Sequence, residues 1–281
     1  MDTNVIYHMD CVCGMAEKLY DNSVDLILAD PPREGVQDAL WIPRAAQVLR
    51  SGGSLYLFAS LARFCGMFPI LQESGMELRG QVLITKPSQE SAPGRRSGKT
   101  FPATVESLFL LCKDPRPFVS SFLKERQEAL GLSSKEINER LGVKSNGGGM
   151  WSHYTGQLAV RQMPTEEVWG KLSEILQFDL PYSRITQTFH PKEGLTDLWN
   201  DVRIREEKDR LHPTQKTQKL LTRLLCMGSN ENDLVLDPFI GSGSTAEACM
   251  YHGRRYVGFE LNEKYYKMAV ERVSNRQFTM F

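Results

Sequence analysis

Short apolar runs alternate with amphipathic stretches through the first third of the chain. Asn4–His8 and Val24–Ala29 read as strands, the second stopping at Asp30-Pro31-Pro32, where two prolines bar both a continuing ladder and a helix. An amphipathic stretch over 38–49 predicts a helix, a Ser-Gly-Gly turn follows at 51–53, and Ser54–Phe58 predicts the next strand. A helix over Leu61–Glu73 and strands over Gln81–Thr85 and Val105–Cys112 complete the segment. Between the last two strands, residues 86–100 have loop composition and carry the basic cluster Arg95, Arg96 and Lys99. Strands separated by helices of this length predict βαβ units on a parallel sheet.

The pattern turns helical between Pro117 and about His190. A helix over Phe122–Leu130 stops at Gly131, and Ser133 with Glu136 forms a capping box that opens a second helix, which ends at Gly142. Residues 145–149 read as a turn before Met150–Tyr154, and Pro164-Thr165-Glu166-Glu167 opens a helix reaching Leu176. Strands return at Leu234–Leu236 and Arg255–Phe259, with helices over Ser244–His252 and Glu263–Asn275. The expected fold is therefore an α/β sheet interrupted by a small helical insert.

Composition narrows the class. With 281 residues, 41% of them hydrophobic, the chain is long enough for one large α/β domain carrying an insert, and it is unlike collagenous or disordered sequences. Its 34 basic and 34 acidic residues cancel, so any attraction to nucleic acid must come from locally placed cations. No apolar run is long enough to span a bilayer, and Met1–Asp10 lacks the features of a signal peptide, which predicts a cytoplasmic protein without a membrane partner. Six scattered cysteines form no zinc-ligand pattern, so reduced thiols and no metal are expected.

Three motifs carry candidate chemistry. Asp237-Pro-Phe-Ile-Gly-Ser-Gly-Ser-Thr245 is a glycine-rich turn between a strand and a helix, and the following strand ends at Glu260, whose carboxylate suits a ribose. Asp30-Pro31-Pro32 lies at another strand's carboxyl end, the ligand-binding edge of open α/β sheets. The third, Arg210-Leu-His-Pro-Thr-Gln-Lys216, precedes an amphipathic helix. Taken singly, these motifs also read as a tight βα turn, a strand terminator and a capped helix start.

The order Asp-Pro-Pro, insert, His-Pro-Thr-Gln-Lys, Asp-Pro-Phe-x-Gly-x-Gly resembles the permuted β-group of S-adenosylmethionine-dependent DNA amino-methyltransferases, which methylate N6 of adenine or N4 of cytosine. The resemblance implies a Rossmann-like methyltransferase sheet with a catalytic half (1–116), a helical target-recognition insert (117–190) and a cofactor half (191–281). It implies that Phe239, Gly241 and Gly243 form the cofactor turn, with Asp237 at the methionine amino group, Glu260 on the ribose, Asp10 near the adenine, and Thr214 and Lys216 near the methionine end. The catalytic segment would be Asp30, Pro31, Pro32 and Arg33. Asp30 and the Pro31 carbonyl would accept the N–H groups of the target amine, and Asp before Pro-Pro leans toward adenine. The family normally has an aromatic residue at position 33 to stack on a flipped base. Arg33 departs from that pattern, leaving a catalytically impaired DNA-binding regulator as the alternative.

Residues 122–141 resemble the first two helices of a repressor-type helix-turn-helix, and the continuation over 144–154 also resembles inserts of phage and bacterial amino-methyltransferases. By that likeness Ser145, Asn146, Ser152, His153 and Tyr154 are candidate contacts to double-stranded DNA. The basic cluster Arg95, Arg96 and Lys99 reads equally as a phosphate-contacting loop or as a solvated one. The other reading of the insert is a small bundle that buttresses the sheet, with Trp151, Leu158 and Trp169 as its core. The resemblance is also compatible with a homodimer and with a restriction-modification role.

Overall fold

A computed structural model of the chain describes residues 1–32, 39–86, 104–143, 149–157, 161–204 and 215–277. It divides into two compact units, Met1–Lys113 with Thr188–Phe281, and Asp114–Gln187.

The larger unit is an eight-stranded sheet. Its strands are β1 (Val5–His8), β2 (Val24–Ala29), β3 (Leu49–Ala59), β4 (Met76–Thr85), β5 (Val105–Lys113), β6 (Leu198–Trp199), β7 (Leu234–Asp237) and β8 (Arg255–Glu260), in the order β1-β8-β7-β2-β3-β5-β4-β6. Only β5 runs against its neighbours, pairing antiparallel with β3 and β4; the other pairings are parallel. Helices α1 (Cys11–Lys18), α2 (Trp41–Val48) and α3 (Leu61–Glu73) belong to the first third. Helices α8 (Gln218–Gly228), α9 (Ser244–Tyr251) and α10 (Glu263–Gln277) belong to the last.

Strand alternation distributes the core between two apolar clusters. Leu26, Leu28, Tyr56 and Phe58 join residues of α8–α10, whereas Ile27, Ala29, Leu55 and Leu57 join residues of α1–α3. Every residue of β2 is buried, which is why it reads as a continuous apolar run rather than an alternating one. Its exception, Asp25, accepts from Arg50 Nε at 2.8 Å and from the Leu234 backbone N–H at 2.8 Å, a buried pair tying β2 to β3 and β7.

Two expectations change. The Ser-Gly-Gly segment is not a turn before a new strand. Leu49 already pairs with Val24, and Ser54 pairs with Leu26, so residues 50–53 form a bulged excursion inside β3, with Gly52 at φ +73°. The sheet is not wholly parallel either, because β4 and β5 pair as antiparallel neighbours.

The smaller unit contains α4 (Arg116–Ala129), α5 (Ser134–Arg140), α6 (Gly149–Thr155), α7 (Glu166–Leu176) and a 3-10 turn (Tyr182–Arg184). The capping box forms as predicted: Glu136 N–H donates to Ser133 Oγ, and Ser133 N–H donates to Glu136 Oε2 at 2.7 Å. Trp151 and Trp169 are buried in its core. Asn138, itself buried, accepts the Trp151 N–H at 2.9 Å and thereby caps α6. Leu158 lies outside the described residues.

Candidate active site

The crevice between β7 and β2 is a topological switch point. From β7 the chain passes through α9 to β8 on one side, and from β2 through α2 to β3 on the other. In a parallel sheet this leaves an open cleft at the strands' carboxyl ends, where ligands bind. The pairing of Ile27 with Leu236 brings Asp237 and Asp30 to that edge.

On the β7 side, Asp237 is buried. Its Oδ1 accepts the Phe239 N–H at 2.9 Å and its Oδ2 the Thr245 hydroxyl at 2.6 Å. Desolvation pushes its pKa from 3.8 up to about 7, the charges of Asp30 and Glu260 add to the rise, and the two hydrogen bonds oppose it. The turn then uses positive φ at Gly241 (+55°) and Gly243 (+81°). A Cβ on Gly243 would lie 3.0 Å from Ala269 Cα, so both conformation and space call for glycine. Glu260 accepts the Gly241 N–H at 3.0 Å through Oε2 and the Asn262 N–H at 2.7 Å through Oε1, bracing the turn. Phe239 sets its ring edge-on to Trp41, centroids 5.5 Å apart.

Because His8 pairs with Glu260, Asp10 lies at the same sheet edge two residues beyond β1. Its Oδ1 caps α1, accepting from Val12 and Cys13 N–H at 2.9 and 3.2 Å.

On the β2 side, Asp30 Oδ2 is 2.6 Å from Lys216 Nζ, and that ammonium sits 4.2 Å from the centre of the Phe58 ring. The neighbouring Gln215 accepts at Oε1 from Ser242 Oγ (3.4 Å) and from Arg272 (3.1 Å). Residues 215–216 therefore join the glycine turn to Asp30. A cavity of about 470 Å³ opens beside Asp30, lined among others by Phe58, Arg63, Lys86, Glu106 and Ser107. Arg63, near the start of α3, donates to the Pro31 carbonyl at 3.3 Å and the Pro32 carbonyl at 2.7 Å.

The sequence profile of the DNA methylase family, the N6/N4 amino-methyltransferases, matches residues 39–271. The chain belongs to this family. The methylase is 25% identical to the DNA adenine methyltransferase YhdJ of Escherichia coli (strain K12), over 97% of this chain and 83% of the relative. It is also 25% identical to the type II methyltransferase M.BglII of Bacillus subtilis, over 96% of this chain and 69% of that one. Among solved structures it resembles the M1.HpyAVI-SAM complex, with TM-score 0.59, 20% identity, and 95% and 98% of the two chains covered. It also resembles the cytosine-N4-specific PvuII DNA methyltransferase, with TM-score 0.56, 14% identity, and 97% and 86% covered. The methylase thus has the Rossmann-like sheet of S-adenosylmethionine-dependent methyltransferases, and S-adenosylmethionine is its methyl donor.

Of the residues singled out in the methylase sequence, Asp10, Asp30, Pro31, Pro32, Lys216, Asp237, Phe239, Gly241, Gly243 and Glu260 all occupy the carboxyl edge of β1, β8, β7 and β2 or the segment preceding α8. Arg33, Arg95, Arg96, Lys99, Ser145, Asn146 and Thr214 lie outside the described residues. In the insert, Ser152 and His153 are exposed, and the Ser152 hydroxyl donates to Gly149 O at 2.9 Å. Tyr154 is a correction. At 6% exposure it packs with Trp151 and Val119 in the insert's core, leaving its ring no free face for DNA. Thr245 and Gln215 lie in the motifs quoted above without an individual role read for them, whereas Arg63 and the cavity residues of β5 are brought in by long-range contacts alone. No described helix is long and apolar enough to cross a membrane.

Proposed function

We propose that the methylase transfers a methyl group to the exocyclic amine of adenine, N6, in double-stranded DNA, with Asp30 as the catalytic carboxylate. The observation that carries this reading is the pairing of two unlike sites across one crevice, a glycine turn with buried Asp237 on one side and a cavity beside Asp30 on the other. The first site fits the cofactor. Gly243, at φ +81° and with Ala269 3.0 Å from the place of a Cβ, favours a bare backbone there, while Asp237, Glu260 and Asp10 supply acceptors for its amino and ribose groups. Bound there, S-adenosylmethionine supplies a methyl group already activated by a positive sulfonium.

The chain's own task is to improve a poor nucleophile. An exocyclic amine delocalises its lone pair into the base. Asp30 and the Pro31 carbonyl, by accepting the two N–H groups, favour a pyramidal nitrogen whose lone pair points away from the ring. Asp30 also offsets the positive charge that grows on that nitrogen. Lys216 now holds the carboxylate at 2.6 Å and must share it with the incoming amine. Adenine is favoured by Asp rather than Ser before Pro-Pro and by the adenine-specific relative.

The helical unit would read the DNA sequence through Ser145, Asn146, Ser152 and His153, with Arg95, Arg96 and Lys99 on phosphates. Buried thiols at Cys11, Cys112 and Cys249 suit a reducing cytoplasm. Incubation with methyl-labelled cofactor and mixed duplex DNA, followed by digestion to nucleosides, tests the proposal. Label in N6-methyladenine supports it, label in N4-methylcytosine corrects the base, and absence of label with retained DNA binding favours the regulator reading prompted by Arg33.

A further inference from the structure

We propose that Arg63 is a positioning residue that fixes the Pro31 carbonyl for the amine, an inference that rests on the reading of Asp30 and Pro31 given above. Neither proline has an N–H, so the segment cannot brace itself with backbone donors. The rings fix φ at both positions, and Pro32 confines the ψ of Pro31 to the extended region, but within that region the torsion that aims each carbonyl is still set from outside. The planar Arg63 guanidinium sets it by placing one nitrogen 3.3 Å from the Pro31 oxygen and another 2.7 Å from the Pro32 oxygen. Two donors in a rigid fork on successive carbonyls define an orientation that a single flexible donor does not.

The fork is itself anchored. Arg63 lies in the first turn of α3, where Ser60 Oγ accepts its N–H at 3.4 Å and Ser60 O accepts the Phe64 N–H at 2.9 Å. Ser60 directly follows β3, which pairs with β2 up to Ala29↔Leu57. The catalytic loop and its clamp therefore hang from adjacent paired strands. A carbonyl oxygen has two lone pairs, so the Pro31 oxygen bonded to Arg63 retains one for an amine N–H. A guanidinium does not help a nitrogen that becomes cationic, so its benefit must be geometric. Its loss should fall on turnover rather than on cofactor affinity.

The test compares wild type, Arg63→Lys, Arg63→Met and Arg63→Ala for kcat, DNA KM, cofactor Kd and melting temperature. Since a misplacement of about 1 Å costs on the order of 100-fold, Arg63→Met should lose about that factor in kcat, with cofactor Kd within about twofold. Arg63→Lys, which keeps the charge but not the fork, should recover only about a tenth of the lost rate. Guanidinium chloride at tens of millimolar should raise Arg63→Ala turnover about tenfold over equal sodium chloride, a gain that a merely structural role would not give. A raised DNA KM with a weaker salt dependence and unchanged kcat would make Arg63 a phosphate contact and overturn the proposal. So would parallel loss of cofactor binding and melting temperature without guanidinium rescue. Unlabelled DNA with wild-type protein would instead refute the methyl-transfer reading, and this inference with it.

Discussion

The two sides of the β7/β2 crevice are held by different kinds of bond. On the cofactor side, carboxylates are fixed by backbone and hydroxyl donors, most of them close in sequence: Asp237 by Phe239 and Thr245, Glu260 by Asn262 and by the more distant Gly241, Asp10 by Val12 and Cys13. On the acceptor side, charged side chains are fixed by partners far along the chain: Asp30 by Lys216, Lys86 by Glu106 at 3.6 Å, and the Pro31 carbonyl by Arg63. The first arrangement is complete without a ligand. The second contains an ion pair that any group seated on Asp30 would have to share.

The two sides share one support, and its loss should have the largest effect. Asp25 joins β2 to Arg50 of β3 and to the start of β7. Asp25→Ala leaves Arg50 buried without its carboxylate, which should cost about 3–5 kcal/mol in chemical denaturation and lower cofactor binding and methyl transfer together. Gly243→Ala should separate the sides. A non-glycine residue at φ +81° costs about 1–2 kcal/mol, and the added Cβ meets Ala269, so cofactor affinity by calorimetry should fall while DNA binding in a gel-shift assay persists.

A smaller effect comes from Asp237. Its carboxyl titrates near 3.8 when unfolded and at about 7 when folded, so between these values the folded protein holds a proton that the unfolded chain has released. The stability of the cofactor-free protein should therefore fall as pH rises from about 4 to 7, and Asp237→Asn should flatten that slope in thermal melts. The smallest lies in the helical unit. Ser133→Ala should remove about 1 kcal/mol from that unit's unfolding, measured by hydrogen exchange in α5, and leave cofactor affinity unchanged.

The same contrast governs what could be read from the residues. Asp237 to Thr245 and Glu260 form a local unit whose turn, positive-φ glycines and terminal acid are spelled out in a short stretch. The strand over Val24–Ala29 and the helix over Leu61–Glu73 were legible because a buried apolar run and an amphipathic period each specify one element. The bulge at 50–53 was not, because a Ser-Gly-Gly sequence suits a turn as well, and only the pairing of Leu49 with Val24 makes it part of β3. Arg63 and Glu106 carried no local signal. Their roles arise from the placement of α3 and β5 around Asp30. Tyr154 looked like a contact because it falls in the continuation of the helix-turn-helix likeness, and the packing of α6 against α4 put it inside.

In the proposed reading Asp30 serves the transferred methyl's acceptor and not its donor. The most direct test measures methyl transfer to duplex DNA and cofactor affinity on the same preparation of Asp30→Ala. The expected result is a loss of about 1,000-fold or more in the single-turnover rate with cofactor Kd within about twofold of wild type. Retained transfer, or loss of cofactor binding in step with loss of rate, would contradict the division of the crevice into two sites.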